Sequence, residues 1–304
     1  MRHVSRIIVH TRKIKNRLVL ITAAVLLAGG SLVLPVTVFG AASADHLATP
    51  QNGINYVQQP FTPQYVATWT QDRILPSGGY GSVSFHDRKN VLEMGIDSSK
   101  QNPVSFYQYE GLQHALPGVA GVKADLYVDG SWLNNSTTPV GVGMWGVGHD
   151  QYGNVSAYPI IEFTNAGSNN FTGWRTFNDN IGGWINLTNV PYRVNHWNKL
   201  ELVYDPSTTL FNIYINGVKV GSNQATGSAN LGAVIFDNRN FGTPNSNYTV
   251  HWSDFAYGTS VAENSARQCM DGGWKSVTTP VTFKNQGSCV SYFRHEIKAN
   301  DSKH

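Results

Sequence analysis

Residues 210–220 read LFNIYINGVKV. Phe211, Ile213 and Ile215 recur with a period of two, so they share one face of an extended strand, while Asn212, Tyr214 and Asn216 take the other. Asn216-Gly217 is the preferred dipeptide of a two-residue type I′ turn, and Val218-Lys219-Val220 supplies the returning strand. On both sides of this hairpin, short β-branched and aromatic runs alternate with Gly, Asn, Pro and Asp clusters. They are VSF near 83, VLEMGI from 91, VKADLYV from 122, VGVGMWGVG from 140, YPIIEF from 158, LELVY from 200, AVIF from 233 and YTVHWSDF from 248. No helix-period window of useful length interrupts them. Closely spaced strands without αβ alternation predict an all-β protein of two packed antiparallel sheets, a sandwich or jelly roll over residues 61–260.

Composition agrees with that class. The chain is 41% hydrophobic and 12% aromatic but only 13% charged, with 30 Gly, which excludes a disordered chain and a coiled coil. Six of its 22 Lys and Arg precede residue 45, where there is no acid, so the remainder carries sixteen bases against nineteen acids and gives no sign of nucleic-acid binding. Residues 18–40 are uncharged and almost wholly apolar, follow those bases, and lead into Ala42-Ser43-Ala44. This pattern predicts a signal peptide over residues 1–44, cut after Ala44. The run is also long enough to span a bilayer as an uncleaved anchor, although Pro35 and Gly29-Gly30 weaken such a helix, and it is the sole membrane contact expected. Either way the remainder is expected to be extracellular or in the cell envelope. Residues 45–60, with Pro50 and Pro60 at their ends and no sustained period, read as a linker. In residues 261–304 the isolated pair Cys269 and Cys289 is expected to close a disulfide loop, contributing about 3 kcal/mol in the chain-entropy model.

The string HWNKLELVYDPSTTLFNIYINGVKVGS (196–222) resembles the W-x-x-L…N-G-x-x-V segment of concanavalin A-like jelly rolls, and YTVHWSDFAYGT (248–259) resembles their closing strand. That superfamily holds laminin G-like modules, legume-type lectins, laminarinase-type glycosidases and several polysaccharide lyases. The resemblance implies the sandwich fold and, more loosely, a polysaccharide or cell-surface glycan as partner. The tail CMDGGWKSVTTPVTFKNQGSCVSYF (269–293) resembles a Cys-closed segment at the end of assorted secreted bacterial proteins.

The laminarinase-type signature Glu-x-Asp-x-x-Glu is absent: no two of the nineteen acids stand two or three positions apart. Catalytic residues of that type therefore cannot be carried over, although acids from different strands could still converge. A lyase would need a Tyr or His to move a proton and Arg or Asn to neutralise a uronate. His149, Tyr158 and Arg175 match by residue type, with Glu162 as a further acid, but the strings of the alginate lyases are missing. Alternation is more informative. If Val140, Val142 and Met144 face the core, then Gly141, Gly143, Trp145, Val147 and His149 face away from it. Likewise Ile161 and Phe163 inside place Tyr158, Ile160 and Glu162 outside, and Ile185 and Leu187 inside place Trp184 and Asn186 outside. Trp145, Tyr158, Glu162, Arg175, Trp184 and Asn186 are thus the expected glycan-binding set, although Glu162 and Arg175 also suit a plain cross-strand ion pair. Asp237 and Asn238, in an oxygen-rich segment after AVIF, are weak calcium candidates; no other cofactor is expected. The readings left open are a binding or adhesion module, a lyase or glycosidase, and a structural envelope protein. Sequons at Asn135, Asn170, Asn186 and Asn247 would matter only in a glycosylating host.

Overall fold

In the computed structural model, residues 52–133, 138–178, 181–225, 227–260, 269–270, 272–275 and 283–292 are described. The expected leader at residues 1–44, the first part of the 45–60 segment and the sequon at Asn135 lie outside them. Two antiparallel sheets form the sandwich. Sheet A runs, in spatial order, β14 (Val218–Gln224), β13 (Leu210–Ile215), β12 (His196–Asp205), β6 (Gly121–Val128), β16 (Tyr248–Ser260), β4 (Arg88–Ile96) and β3 (Tyr80–Phe85). Sheet B runs β11 (Gly183–Asn186), β10 (Phe171–Asn178), β9 (Ile160–Gly167), β7 (Gly141–His149), β15 (Asn230–Arg239), β5 (Tyr109–Val119) and β2 (Thr70–Gln71), with β8 (Val155–Ala157) added to β7.

The 210–220 hairpin forms as its sequence predicts. Ile215 pairs with Val218, and Asn216 and Gly217 have φ of 52° and 82°, the two left-handed residues of a type I′ turn. Phe211, Ile213 and Ile215 are buried in one core with Leu200, Leu202, Val122, Ala124 and Leu126 of sheet A and with Val142, Met144, Ile161, Phe163, Val234 and Phe236 of sheet B. Aromatic stacking ties the sheets together: Phe236 of sheet B lies on Trp252 of sheet A with ring centroids 4.3 Å apart, and Trp69 covers Phe236 at 5.1 Å.

The 45–60 segment is not wholly a linker. Ile54–Gln58 form β1, which pairs with Ala256–Ser260 of β16. Ile54 is buried with Ala120 and Val203 on the outer face of sheet A, and Tyr56 donates to Glu201 at 2.7 Å. The segment carries only two positions of apolar alternation before Gln58-Gln59-Pro60, too few for a strand pattern, and the partner strand supplies the rest. At the other end of the chain, Cys269 and Cys289 are joined by a disulfide with Cα atoms 5.7 Å apart.

Candidate functional site

The pairing registers of sheet B place side chains in rows across its outer face. One row reads Gln113, Ile235, Trp145, Ile160, Phe177 and Trp184, each opposite the next. The adjacent row reads Gly111, Asp237, Gly143, Glu162, Arg175 and Asn186. The inward partners Met144, Ile161 and Phe236 are fully buried in the core, so the alternation expected for β7 and β9 holds.

The first row floors a hollow of about 510 Å³. Val147, Ala233, Ile235 and Trp145 form a small apolar cluster of their own in its base, and Phe106, Tyr109, Tyr158, Phe177 and Trp184 wall it. Phe106, Val155 and Tyr158 stand at the rim, 60%, 51% and 41% exposed. Glycines let the large rings lie flat on the sheet. A Cβ at Gly143 would come 2.8 Å from Trp145 Nε1, and one at Gly232 would overlap the His149 ring at 1.9 Å. His149 and Gln113 are the polar groups of the walls, with Asp72 and Arg73 at one end.

Two guanidinium groups organise the aromatic rings. The Arg73 guanidinium lies 4.4 Å from the Trp145 ring and 5.2 Å from both Tyr109 and Phe106, and it is ion-paired with Asp72 at 2.7 Å and with Asp237. Arg175 lies 4.1 Å over Trp184, and its Nε donates to Glu162 Oε1 at 2.8 Å. Burial pushes the Glu162 carboxyl upward, and Arg175 with Arg239 pulls it back. Desolvation raises Asp237 further, with Asp72 and Glu162 adding like-charge repulsion against the pull of Arg73.

The structure therefore brings Trp145, His149, Tyr158 and Trp184 together around the hollow and holds Glu162 and Arg175 beside it, in the adjacent row. Both of these are buried, at 1% and 6% exposure, as the cross-strand ion pair. Of the two readings open for Glu162, the structure forms the ion pair, and a buried guanidinium requires such a partner. Asn186 is partly exposed opposite Arg175 on the edge strand β11. Ile185, expected inside, is 38% exposed because β11 ends sheet B, whereas Leu187 does pack on the core. Asp237 and Asn238 lie within β15, not in a loop, and point to opposite faces. Asp237 is held by Arg73, and the Asn238 amide faces Met94 at 3.8 Å in the core. That donor set does not fit calcium, and no cluster of metal-binding type occurs among the described residues. Alternation could not reveal Arg73, Tyr109 and Phe106. They come from a bend, a strand start and the 3-10 turn Ser105–Gln108, with no period to read.

No family model and no curated protein sequence matches the chain. Among solved structures, the chain is similar to a sialidase (13% identity, TM-score 0.43), covering 69% of this chain and 19% of that one. A prokaryotic β-1,3-1,4-glucanase (lichenase) derived from a mouse hindgut metagenome is similar at 11% identity and TM-score 0.39, over 68% of this chain and 99% of that one. A Bacillus subtilis protein of unknown function with a galectin-like fold gives 11%, 0.40, 67% and 98%. These likenesses carry nothing about the hollow.

Proposed function

We propose that this chain is an extracellular or envelope-attached module that binds a glycan in the hollow on sheet B and does not cleave it. The observation that carries this reading is the division of labour on that face. Rings suited to stacking on sugar faces line the open row, while Glu162 and Asp237 in the adjacent row are sealed by guanidiniums. A glycosidase needs a pair of carboxylates free to reach the glycosidic oxygen, whereas Glu162 and Asp237 are sealed and Asp72, at one end of the hollow, is paired with Arg73. The basic leader and the Cys269–Cys289 disulfide support placement outside the cytoplasm.

The test is a panel of neutral and uronic polysaccharides, assayed for binding by affinity electrophoresis and for turnover by reducing ends and absorbance at 235 nm. Retention of a panel member without turnover, lost in Trp184→Ala and Tyr158→Ala at unchanged melting temperature, is the expected result. Turnover abolished by Glu162→Gln or Tyr158→Phe would overturn it in favour of a glycosidase or lyase. An intact fold that retains no glycan would favour a structural role.

A further inference from the structure

A second cleft lies on the other sheet. Arg88, Asp125, Arg193, Trp197, Lys199 and the turn Asn216-Gly217 enclose about 310 Å³ on the outer face of sheet A. Its lining carries three cations against one acid, on a body whose residues 45–304 hold more acids than bases. The pairing within it is unusual. Lys199 on β12 stands directly opposite Asp125 on β6, the position at which a cross-strand ion pair is expected. Asp125 is taken instead by Arg88, which bonds it at 2.9 Å, reaches Asp254 at 3.0 Å, and lies 4.3 Å over the Trp197 ring. Neither Lys199 nor Arg193 has an ion pair among the described residues.

The frame holding these cations is rigid although their tips are not buried. Asn198 is fully buried, and its side chain accepts from the Arg193 N–H at 2.9 Å and donates to the Arg193 carbonyl at 2.8 Å. Asn216 accepts from the Lys199 N–H at 3.0 Å, which fixes the hairpin turn against β12. Trp197 Nε1 in the wall also lacks a protein partner, so a hydrogen-bond donor in the cleft is left unused within the protein.

We infer that this cleft binds an oxyanion, a carboxylate or a sulfate group, between Lys199 and Arg193, with Arg88 as the fixed third cation. Arg88 bonds both acids through one terminal nitrogen, which leaves its other N–H groups to donate. Charge-assisted hydrogen bonds from two or three such donors are the ordinary means of holding an oxyanion. The site is independent of the hollow on sheet B.

Isothermal titration calorimetry of the full chain at fixed ionic strength, with sodium sulfate, sodium glucuronate and neutral methyl glucoside, tests it. Saturable binding of sulfate or glucuronate is expected, the tighter of the two identifying the source as sulfate ester or uronate, with none for the neutral sugar. Affinity should fall about tenfold or more in Lys199→Gln/Arg193→Gln, remain in Lys199→Arg/Arg193→Lys, and be unchanged in Tyr158→Ala on the opposite sheet. Binding by neither anion, or wild-type affinity in the double Gln variant at unchanged melting temperature, would overturn the assignment. Loss of sheet B binding with these results intact would sink the glycan reading alone.

Discussion

Glu162 is the residue at which alternation and chemistry part company. Its Cα lies on the outward row, as the YPIIEF pattern requires, yet the carboxylate is buried against Arg175, which itself lies on the Trp184 ring. Replacing it with Gln leaves a buried guanidinium without its counter-charge, and a loss of about 3 to 5 kcal/mol is expected. A urea melt would read this as a lower midpoint at constant slope, and Glu162→Gln/Arg175→Met should recover part of it. Tyr158→Ala at the rim should change stability by less than about 0.5 kcal/mol. A pH effect belongs to the same scale. His114 lies against Tyr65 Oη at 3.0 Å and on the Trp69 ring at 5.0 Å, and burial holds its imidazole below the usual range. His251 is also held low by burial, against an opposing pull from Glu93. The unfolded chain therefore accepts protons near pH 6.5 that the folded chain refuses. Stability is at its full value above that pH and falls as the pH drops through it. Melts at pH 7.5 and 5.5 should show the loss, and His114→Gln should reduce it. An equal loss in that variant would count against this account.

At the scale of single elements, the readable parts were those in which local preference and packing agree. The 210–220 hairpin is one, since its turn chemistry and its apolar face point to the same structure. Ile213→Ala should cost about 2 to 5 kcal/mol through a core cavity, and Gly217→Val should destabilise through its left-handed φ, both measurable by denaturant melts. The misread parts are those where tertiary partners override propensity. Asp237 and Asn238 are poor strand formers, yet β15 runs through both because Arg73 takes the first and the core takes the second. β1 owes its strand state to β16 and to the contact of Tyr56 with Glu201. Ile185 fails for another reason: alternation assigns a face, but not whether the facing sheet reaches that far.

For the whole molecule, sequence could name the outward residues of each strand but not which strands are neighbours. The Trp145–Ile160–Phe177–Trp184 row depends on β7, β9, β10 and β11 lying side by side, and the oxyanion cleft depends on β6 meeting β12. The order of sheet A has a consequence for how the chain is made. β16, the last strand of the sandwich, lies inside that sheet between β6 and β4, and its far end also receives β1, so Ile54 waits for Ser260, more than two hundred positions later. A nascent chain stopped before residue 248 holds sheet A only as two unconnected pieces and cannot complete the core, since Val250, Trp252 and Phe255 are missing from it. Ribosome-arrested chains ending at residue 245 should be digested rapidly by protease, and those extended far enough for residue 260 to clear the exit tunnel should resist. The polypeptide would thus stay threadable until β16 has been made, the state that a translocation pore accepts.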